Sequence, residues 1–211
     1  MRTIGIFGTS GFACEVEDIA HELGWRPIFV ARTEADVAAW TRDEEVILET
    51  DVSRYAGMPF AIGIADTSIR QAVQQRFCDE LRFVNLVHPQ ASFGKRQLQA
   101  LESRVGVVVS AGVRFMSRIS IGDFTAFDLN ATIGHDCIVE PFAHVAPGAN
   151  ISGHVHIGAR CRIGTGAVIN QGHDGRKLTI GADTVIGSGA VVVRDCEASS
   201  VYVGCPARKV R

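Results

Sequence analysis

No stretch of this 211-residue chain approaches the roughly 20 consecutive apolar residues that a membrane-spanning helix requires. Its opening residues, Met1, Arg2 and Thr3, run straight into a short apolar strand instead of a leader pattern, so a cytoplasmic address is expected. An excess of one charge is also missing: 21 Lys and Arg stand against 23 Asp and Glu, a formal net charge of −2 with no long run of either sign. Nucleic acid is therefore not an expected partner, because phosphate binding needs a basic face. The six cysteines, Cys14, Cys78, Cys137, Cys161, Cys196 and Cys205, show no CxxC spacing. That argues against a zinc ribbon or a disulfide framework and leaves reduced thiols in a core as the expectation.

What the chain does have is a period of six. From Val109 an aliphatic or aromatic residue opens each hexad, at Val109, Phe115, Ile121, Phe127, Ile133, Val139, Val145, Ile151, Ile157, Ile163 and Ile169, and again at Ile180, Ile186 and Val192 after an insertion. Four places on, a small or β-branched residue recurs, among them Val113, Thr125, Ala131, Cys137, Ala143, Cys161 and Cys196. A repeat this short cannot bury an apolar face alone, so its rungs must stack into a parallel β-helix. Three hexads make one triangular turn, and fourteen hexads predict between four and five coils. Residues Gln171 to Lys177 add five positions at one corner and must leave the prism as a loop. Gln97 to Arg104, polar and helix-prone, reads as a linker or an insertion in the first coil.

The first ninety residues follow a different rule. Thr3 to Phe7 reads as a strand, Gly8-Thr9-Ser10-Gly11 as a tight turn, and Val16 to Leu23 as a helix closed by Gly24. Pro27 to Ala31, Phe60 to Ile64 and Arg82 to Val87 read as further strands, with a helix from about Thr67 to Cys78. Alternating strands and helices predict a small Rossmann-like parallel sheet over residues 1–89, followed by the β-helix over 90–211. The first turn lies where backbone amides and a helix dipole hold a phosphate. No acidic residue closes the second strand, where Ala31-Arg32 is found, so a nicotinamide enzyme is discounted.

Histidines cluster in the prism: His135, His144, His154, His156 and His173. His135 opens a His-Asp pair in Ile133-Gly134-His135-Asp136-Cys137 near a corner, and His144 follows half a coil later, so the two can meet only across a subunit boundary. A neutral imidazole suits proton removal near pH 7, and an adjacent carboxylate fixes its tautomer. Neighbours on an extended chain point to opposite faces, so a His135–Asp136 contact requires special corner geometry. The number of histidines also admits a metal-binding trimeric β-helix, but the spacings do not match one, and no metal is expected.

With Gly8-Thr9-Ser10-Gly11 in its first turn, Asn85-Leu86-Val87-His88-Pro89 at the domain exit, Asn130-Ala131-Thr132-Ile133-Gly134-His135-Asp136-Cys137 in the prism and Val203-Gly204-Cys205-Pro206-Ala207 near the end, the chain resembles the NeuD/PglD type of bacterial sugar acetyltransferase. The resemblance implies a homotrimer with a left-handed β-helix that uses acetyl-CoA at the subunit interface. It implies His135 as general base with Asp136 as its acidic neighbour. It places His144, Gly153, Thr165 and Ser188 at the acetyl-CoA site. It places Gly8, Ser10, Gly11, Phe12 and Gly63 at the nucleotide of a nucleotide-linked sugar, with Asn130 as a polar neighbour of the reacting group. Relatives acting on UDP-linked amino sugars carry acidic residues after the second strand. Ala31-Arg32 departs from that pattern and points to another nucleotide or none. The expected reaction is N-acetylation of a sugar amine in bacterial glycan synthesis. The alternatives are O-acetylation of sialic acid or a related sugar, and a trimeric nucleotide-binding scaffold without turnover.

Overall fold

In a computed structural model, which describes residues 2–211, the N-terminal unit comprises β1 (Arg2–Phe7), α1 (Gly11–Glu22), β2 (Trp25–Ala31), α2 (Glu34–Ala38), β3 (Val46–Leu48), β4 (Pro59–Ile62), α3 (Thr67–Phe77) and β5 (Arg82–Phe83). The strands form one parallel sheet in the order β3-β2-β1-β4-β5. The order reverses at β1, which puts the Gly8–Ser10 turn in the crevice where such sheets bind ligands. Alternation along β1 sorts its side chains: Ile4 and Ile6 pack with Phe12, Val16 and Ile19 of α1, whereas Phe7 packs with Val73 and Phe77 of α3. With both sheet faces covered, the strands are apolar throughout, as parallel sheets require.

Three sequence expectations shift here. α1 begins at Gly11, not Val16, because Phe12 and Ala13 already belong to its buried stripe. The short edge elements α2 and β3 carry too little periodicity to be seen in the sequence. The strand expected over 82–87 divides in two, since β5 pairs with β4 while Leu86–Val87 pairs with Val108–Val109 in the β-helix. Asn85 makes the break: its Nδ2 donates to the carbonyls of Leu101 (3.1 Å) and Arg104 (2.7 Å), and its Oδ1 accepts from the Val107 amide at 2.9 Å.

The prism has three parallel faces. One stacks Leu86–Val87, Val108–Val109, Ala126–Phe127, His144–Val145, Arg162–Ile163, Val185–Ile186 and Val201–Val203. The second runs from Ser92–Phe93 through Arg114–Phe115, Thr132–Ile133, Asn150–Ile151 and Val168–Ile169 to Val191–Val192, and the third from Ser120–Ile121 through Ile138–Val139 and Val155–Ile157 to Leu178–Ile180. The second face alone has six levels, more than the four to five coils expected, because the β-helix starts before the first clean hexad. At that first level a short helix, Gln97–Glu102, replaces the third side. The Gln97 amide stands in for the missing rung: its Nε2 donates to the Ile119 carbonyl (2.8 Å) and its Oε1 accepts from the Ile119 amide (3.0 Å). The helix is thus an insertion in the first coil.

Every hexad opener from Val109 to Val192 is buried, and so are Cys137, Cys161 and Cys196 at the small positions. All six cysteines are free, and burial pushes the Cys161 and Cys196 thiols up to about 11, which makes them compact hydrophobes and not nucleophiles. Leu86, Val108 and Ala126 on the first face join the α1 cluster, and Phe124 and Phe142 at a corner join the α3 cluster, so the two units share an apolar boundary. Among the described residues no helix is long and apolar enough to cross a membrane.

The corners follow one conformation. Positive φ recurs every sixth residue, at Gly106, Gly112, Arg118, Phe124, Asn130, Asp136, Phe142, Gly148, His154, Arg160 and Gly166, and then at Asp183 and Gly189. A non-glycine residue held there costs about 1–2 kcal/mol. Stacking from coil to coil offsets it, as in the parallel rings of Phe124 and Phe142, 5.3 Å apart, and the double hydrogen bond from Arg160 to Asp183 at 2.6 and 2.7 Å.

Candidate active site

Arg118, Asp136 and His154 occupy one edge of the prism, at successive corner positions between the second and third faces. Because Asp136 has φ 60°, its side chain turns back along the chain and its Oδ2 lies 2.7 Å from Nδ1 of His135. The left-handed corner is what brings together two neighbours that an extended strand would hold apart. Arg118, one coil away, donates from Nε and Nη2 to the two carboxylate oxygens at 2.6 and 2.7 Å. These bonds, Arg118 first and His135 second, hold the Asp136 carboxyl well below the usual carboxylate range. An ionised carboxylate only accepts, so His135 carries its proton on Nδ1 and leaves Nε2 as the free base.

Gly153 lies against the His135 ring. A Cβ on Gly153 would stand 2.6 Å from His135 Nε2 and 2.7 Å from Cε1, so only glycine leaves the imidazole in place. Gly153→Ala is expected to displace the ring and lower kcat by roughly 10²-fold, the cost of about 1 Å of misplacement. Steady-state kinetics checks this, and a kcat within about twofold of wild type would show that the ring does not need that space.

His154 crosses His135 edge to face, with ring centroids 5.0 Å apart and its Nε2 3.7 Å from Asp136 Oδ2. Donor atoms of His135, Asp136 and His154 lie within 4.8 Å of one another, a spacing that could take a metal ion, although Asp136 already binds Arg118. The other histidines counted as metal-ligand candidates sit elsewhere: His144 pairs with Asp128 and His156 with Glu140, each at 2.7 Å. The 171–177 loop comes back to the same edge, where Lys177 donates to the Asp136 carbonyl and Asp174 lies 3.3 Å from His154 Nε2. Arg176 pairs with Asp195 at 3.2 Å.

His144 is buried on the first face, toward the N-terminal unit. Its ring lies 5.1 Å from that of Phe12, its Nε2 faces Asp128 at 2.7 Å, and its Nδ1 faces Arg70 Nη1 at 3.3 Å, so both nitrogens are engaged. Asn130, Thr165 and Ser188 lie at or beside the edge of Gly148, Gly166 and Gly189, away from His135 within one chain. Of the residues the resemblance assigns to acetyl transfer, one chain therefore brings together His135, Asp136 and Gly153 only.

The N-terminal residues do converge. Gly8, at φ 111°, and Gly63 pack against each other, and a Cβ on Gly63 would stand 2.6 Å from Ala13 Cα. These glycines seat α1 close to β4. Asp66 caps α3 by accepting from the amides of Ser68 (3.0 Å) and Ile69 (2.9 Å), and Thr33 with Asp36 forms a capping box on α2. Ser10 makes no side-chain cap on α1, which leaves first-turn amides at Gly11 and Phe12 for an anion. Beside this turn opens a cavity of about 320 Å³ lined by Gly8, Thr9, Arg32, Asp36, Glu49 and Arg76 among others.

Sequence reasoning missed Arg118, although the 18-residue coil period places it directly beside Asp136, and it counted His154 only as a metal-ligand candidate. Arg70, Asp128, Asp174 and Lys177 reach their partners through the domain boundary or the loop, which no local pattern reveals.

A β-helix with a carboxylate-oriented histidine on one edge, behind a nucleotide-type crevice, defines an acyltransferase of the hexapeptide-repeat class. No family model matches the chain. The GDP-perosamine N-acetyltransferase of Escherichia coli O157:H7 is 30% identical to it over 223 aligned positions, spanning 100% of this chain and 97% of that one. A histidine-to-asparagine mutant of perosamine N-acetyltransferase from Caulobacter crescentus, in complex with CoA and GDP-perosamine, superposes with a TM-score of 0.83 at 28% identity, covering 100% of this chain and 98% of that one. The acetyltransferase domain of PglB from Neisseria gonorrhoeae FA1090, in complex with acetyl coenzyme A, gives 0.85 at 26% identity over 99% of both chains. The chain belongs to the PglD/PerB-type sugar N-acetyltransferases. It is an acetyl-CoA-dependent sugar acetyltransferase.

Proposed function

We propose that the protein acetylates the amino group of a GDP-linked amino sugar, with His135 as general base and acetyl-CoA bound between neighbouring copies of a trimer. The observation that carries the reaction is the Arg118–Asp136–His135 array, which orients one imidazole and leaves its Nε2 open. As the sugar amine attacks the thioester carbonyl, His135 Nε2 takes its proton and the ionised Asp136 stabilises the imidazolium that forms. The thiolate of CoA leaves with the electron pair of the broken C–S bond, and the imidazolium returns the proton to it.

Guanine is supported by the crevice beside Gly8. Its edge presents a carbonyl acceptor beside two N–H donors, and the cavity offers the guanidinium of Arg32 with the carboxylates of Asp36 and Glu49. The relatives that act on or hold GDP-perosamine support the same reading. The diphosphate would meet the first-turn amides at Gly11 and Phe12. The trimer is supported by the separation of Asn130, Thr165 and Ser188 from His135, since only a second copy can set that edge opposite this one.

The test is thiol release from acetyl-CoA with GDP-, UDP- and dTDP-linked 4-amino sugars and free and CMP-linked sialic acid, together with light-scattering mass. The expected result is turnover highest with the GDP sugar and a mass three times the 22.7 kDa of the chain. Turnover only with sialic acid would replace N- by O-acetylation. Nucleotide binding without any turnover would leave a scaffold.

A further inference from the structure

The insertion between Ile169 and Ile180 falls at the catalytic edge. Arg118, Asp136 and His154 succeed one another there every 18 residues, and at the next level, residue 172, the chain leaves the prism. Gly172 still pairs with the coil below, its amide donating to the Gly153 carbonyl at 3.1 Å. His173 and Arg176 then close the excursion with reciprocal backbone bonds of 2.9 and 3.0 Å. The loop is therefore a short, hydrogen-bonded turn, and two of its residues, Asp174 in the turn and Lys177 at its end, reach back to the site. Asp174 Oδ1 lies 3.3 Å from His154 Nε2, and Lys177 donates to the carbonyl of Asp136.

His154 is well placed to receive that support and pass it on. Its side chain is only 15% exposed, whereas that of His135 is 40% exposed and needs walls to fix it. Gly153 forms one wall and the perpendicular His154 ring another. His154 Nε2 also lies 3.7 Å from Asp136 Oδ2, the oxygen that takes the His135 proton bond. The charged and titratable groups around it are Arg118, His135, Asp136, Asp174 and Lys177.

We propose that His154, with the exposed Asp174 carboxylate beside its Nε2, is a positioning residue that holds the Asp136–His135 pair in one tautomer and one orientation, while Lys177 of the same loop fixes the Asp136 backbone. The proposal rests on the reading of His135 as general base. Arg118 secures Asp136 from the coil below, and His154 with the loop secures it from the coil above. The base is thereby clamped along the axis of the prism without any group of the clamp touching the reacting atoms. The loop that leaves the prism at this corner thus becomes a structural arm of the catalytic pair.

The test compares wild type with His154→Gln, His154→Ala, Asp174→Asn and Lys177→Met by steady-state kinetics over pH, and by ¹⁵N NMR of the His135 ring in the resting enzyme. His154→Ala is expected to lower kcat roughly tenfold, with both KM values within about twofold, as misplacement of a base does. The pH profile should shift, the two loop variants should move in the same direction by less, and His154→Gln, which keeps a donor, should recover part of the loss. The His135 nitrogens should change from a single Nδ1–H form in wild type to a mixture in His154→Ala. Unchanged kcat and unchanged nitrogen shifts in both His154 variants would overturn the proposal. So would a loss confined to KM, which would make His154 a ligand contact. The NMR arm needs no acceptor: if no sugar turns over, the functional reading fails while the nitrogen shifts still decide the clamp. Should His154→Ala not fold, His154→Gln and Asp174→Asn carry the comparison.

Discussion

Replacing His135 by glutamine is expected to lower kcat by about 10²–10⁴-fold, the usual contribution of a positioned general base. Glutamine approximates the length of the imidazole, and Asp136 keeps its paired hydrogen bonds from Arg118 at 2.6 and 2.7 Å, which hold the corner without His135. What is lost is the basic Nε2. Since the base acts only as charge develops on the attacking amine, the loss should fall on kcat and kcat/KM together, with KM for acetyl-CoA and acceptor little moved. Because its bonds to Arg118 and His135 hold the Asp136 carboxyl well below the usual carboxylate range, Asp136 should stay ionised across the working pH range, and any acid-side fall of the wild-type profile should not come from its protonation. Retention of more than about a tenth of wild-type kcat would remove His135 from the role of base.

The second large effect is one of stability. Arg70→Met is expected to cost about 3–5 kcal/mol in chemical denaturation, the range for removing one partner of a buried charged network. Arg70, 2% exposed, joins the two units: Nη1 donates to the Ile64 carbonyl at 2.9 Å, and Nη2 donates across the boundary to the carbonyls of Phe142 (2.8 Å) and Ala143 (3.0 Å). Nη1 also faces His144 Nδ1, whose far nitrogen meets the buried Asp128. Methionine fills much of the volume but strands the Ile64 and Phe142 carbonyls, while the Ala143 carbonyl keeps the Ala126 amide, and it removes the cation near Asp128. Burial lowers the guanidinium from its ordinary 12.5 to about 10, with Asp128 opposing the shift. Below about pH 10 both folded and unfolded chains hold the proton, so the burial cost is fully present and the loss should not vary between about pH 6 and 9. A loss under about 1 kcal/mol would show that water satisfies the stranded carbonyls.

The prism was legible because its period is short and strict: eleven openers in unbroken register, and three more after the insertion, leave no other architecture that buries them. The His135–Asp136 pair was legible as a pair of residue types, but its contact was not. That contact depends on positive φ at Asp136, a corner property visible only once the six-residue recurrence of left-handed residues is seen in three dimensions. In the first coil the sequence left a linker and an insertion as alternatives, because Gln97 replaces a rung with a side chain and no hydrophobic period marks that. Likewise β3 and α2 are short edge elements whose order depends on neighbours distant in sequence. His144 shows the same limit in the active-site reading: its place beside Phe12, Arg70 and Asp128 follows from how the two units dock.

The recurring left-handed corners have a consequence for how such a molecule changes over generations. Each corner has the same left-handed backbone whatever residue occupies it: it turns phenylalanine at 124 and 142 and aspartate at 136 out of the strand plane, and carries glycine at 148 and 166. New chemistry can therefore be tried by single substitution at an address whose height and edge are set in advance, with no new backbone to invent. An insertion at one address, like that after Gln171, leaves the storeys above and below in step, as the return of the openers at Ile180, Ile186 and Val192 records. The prism behaves as a rack of interchangeable sockets, and the present enzyme is one way of filling it.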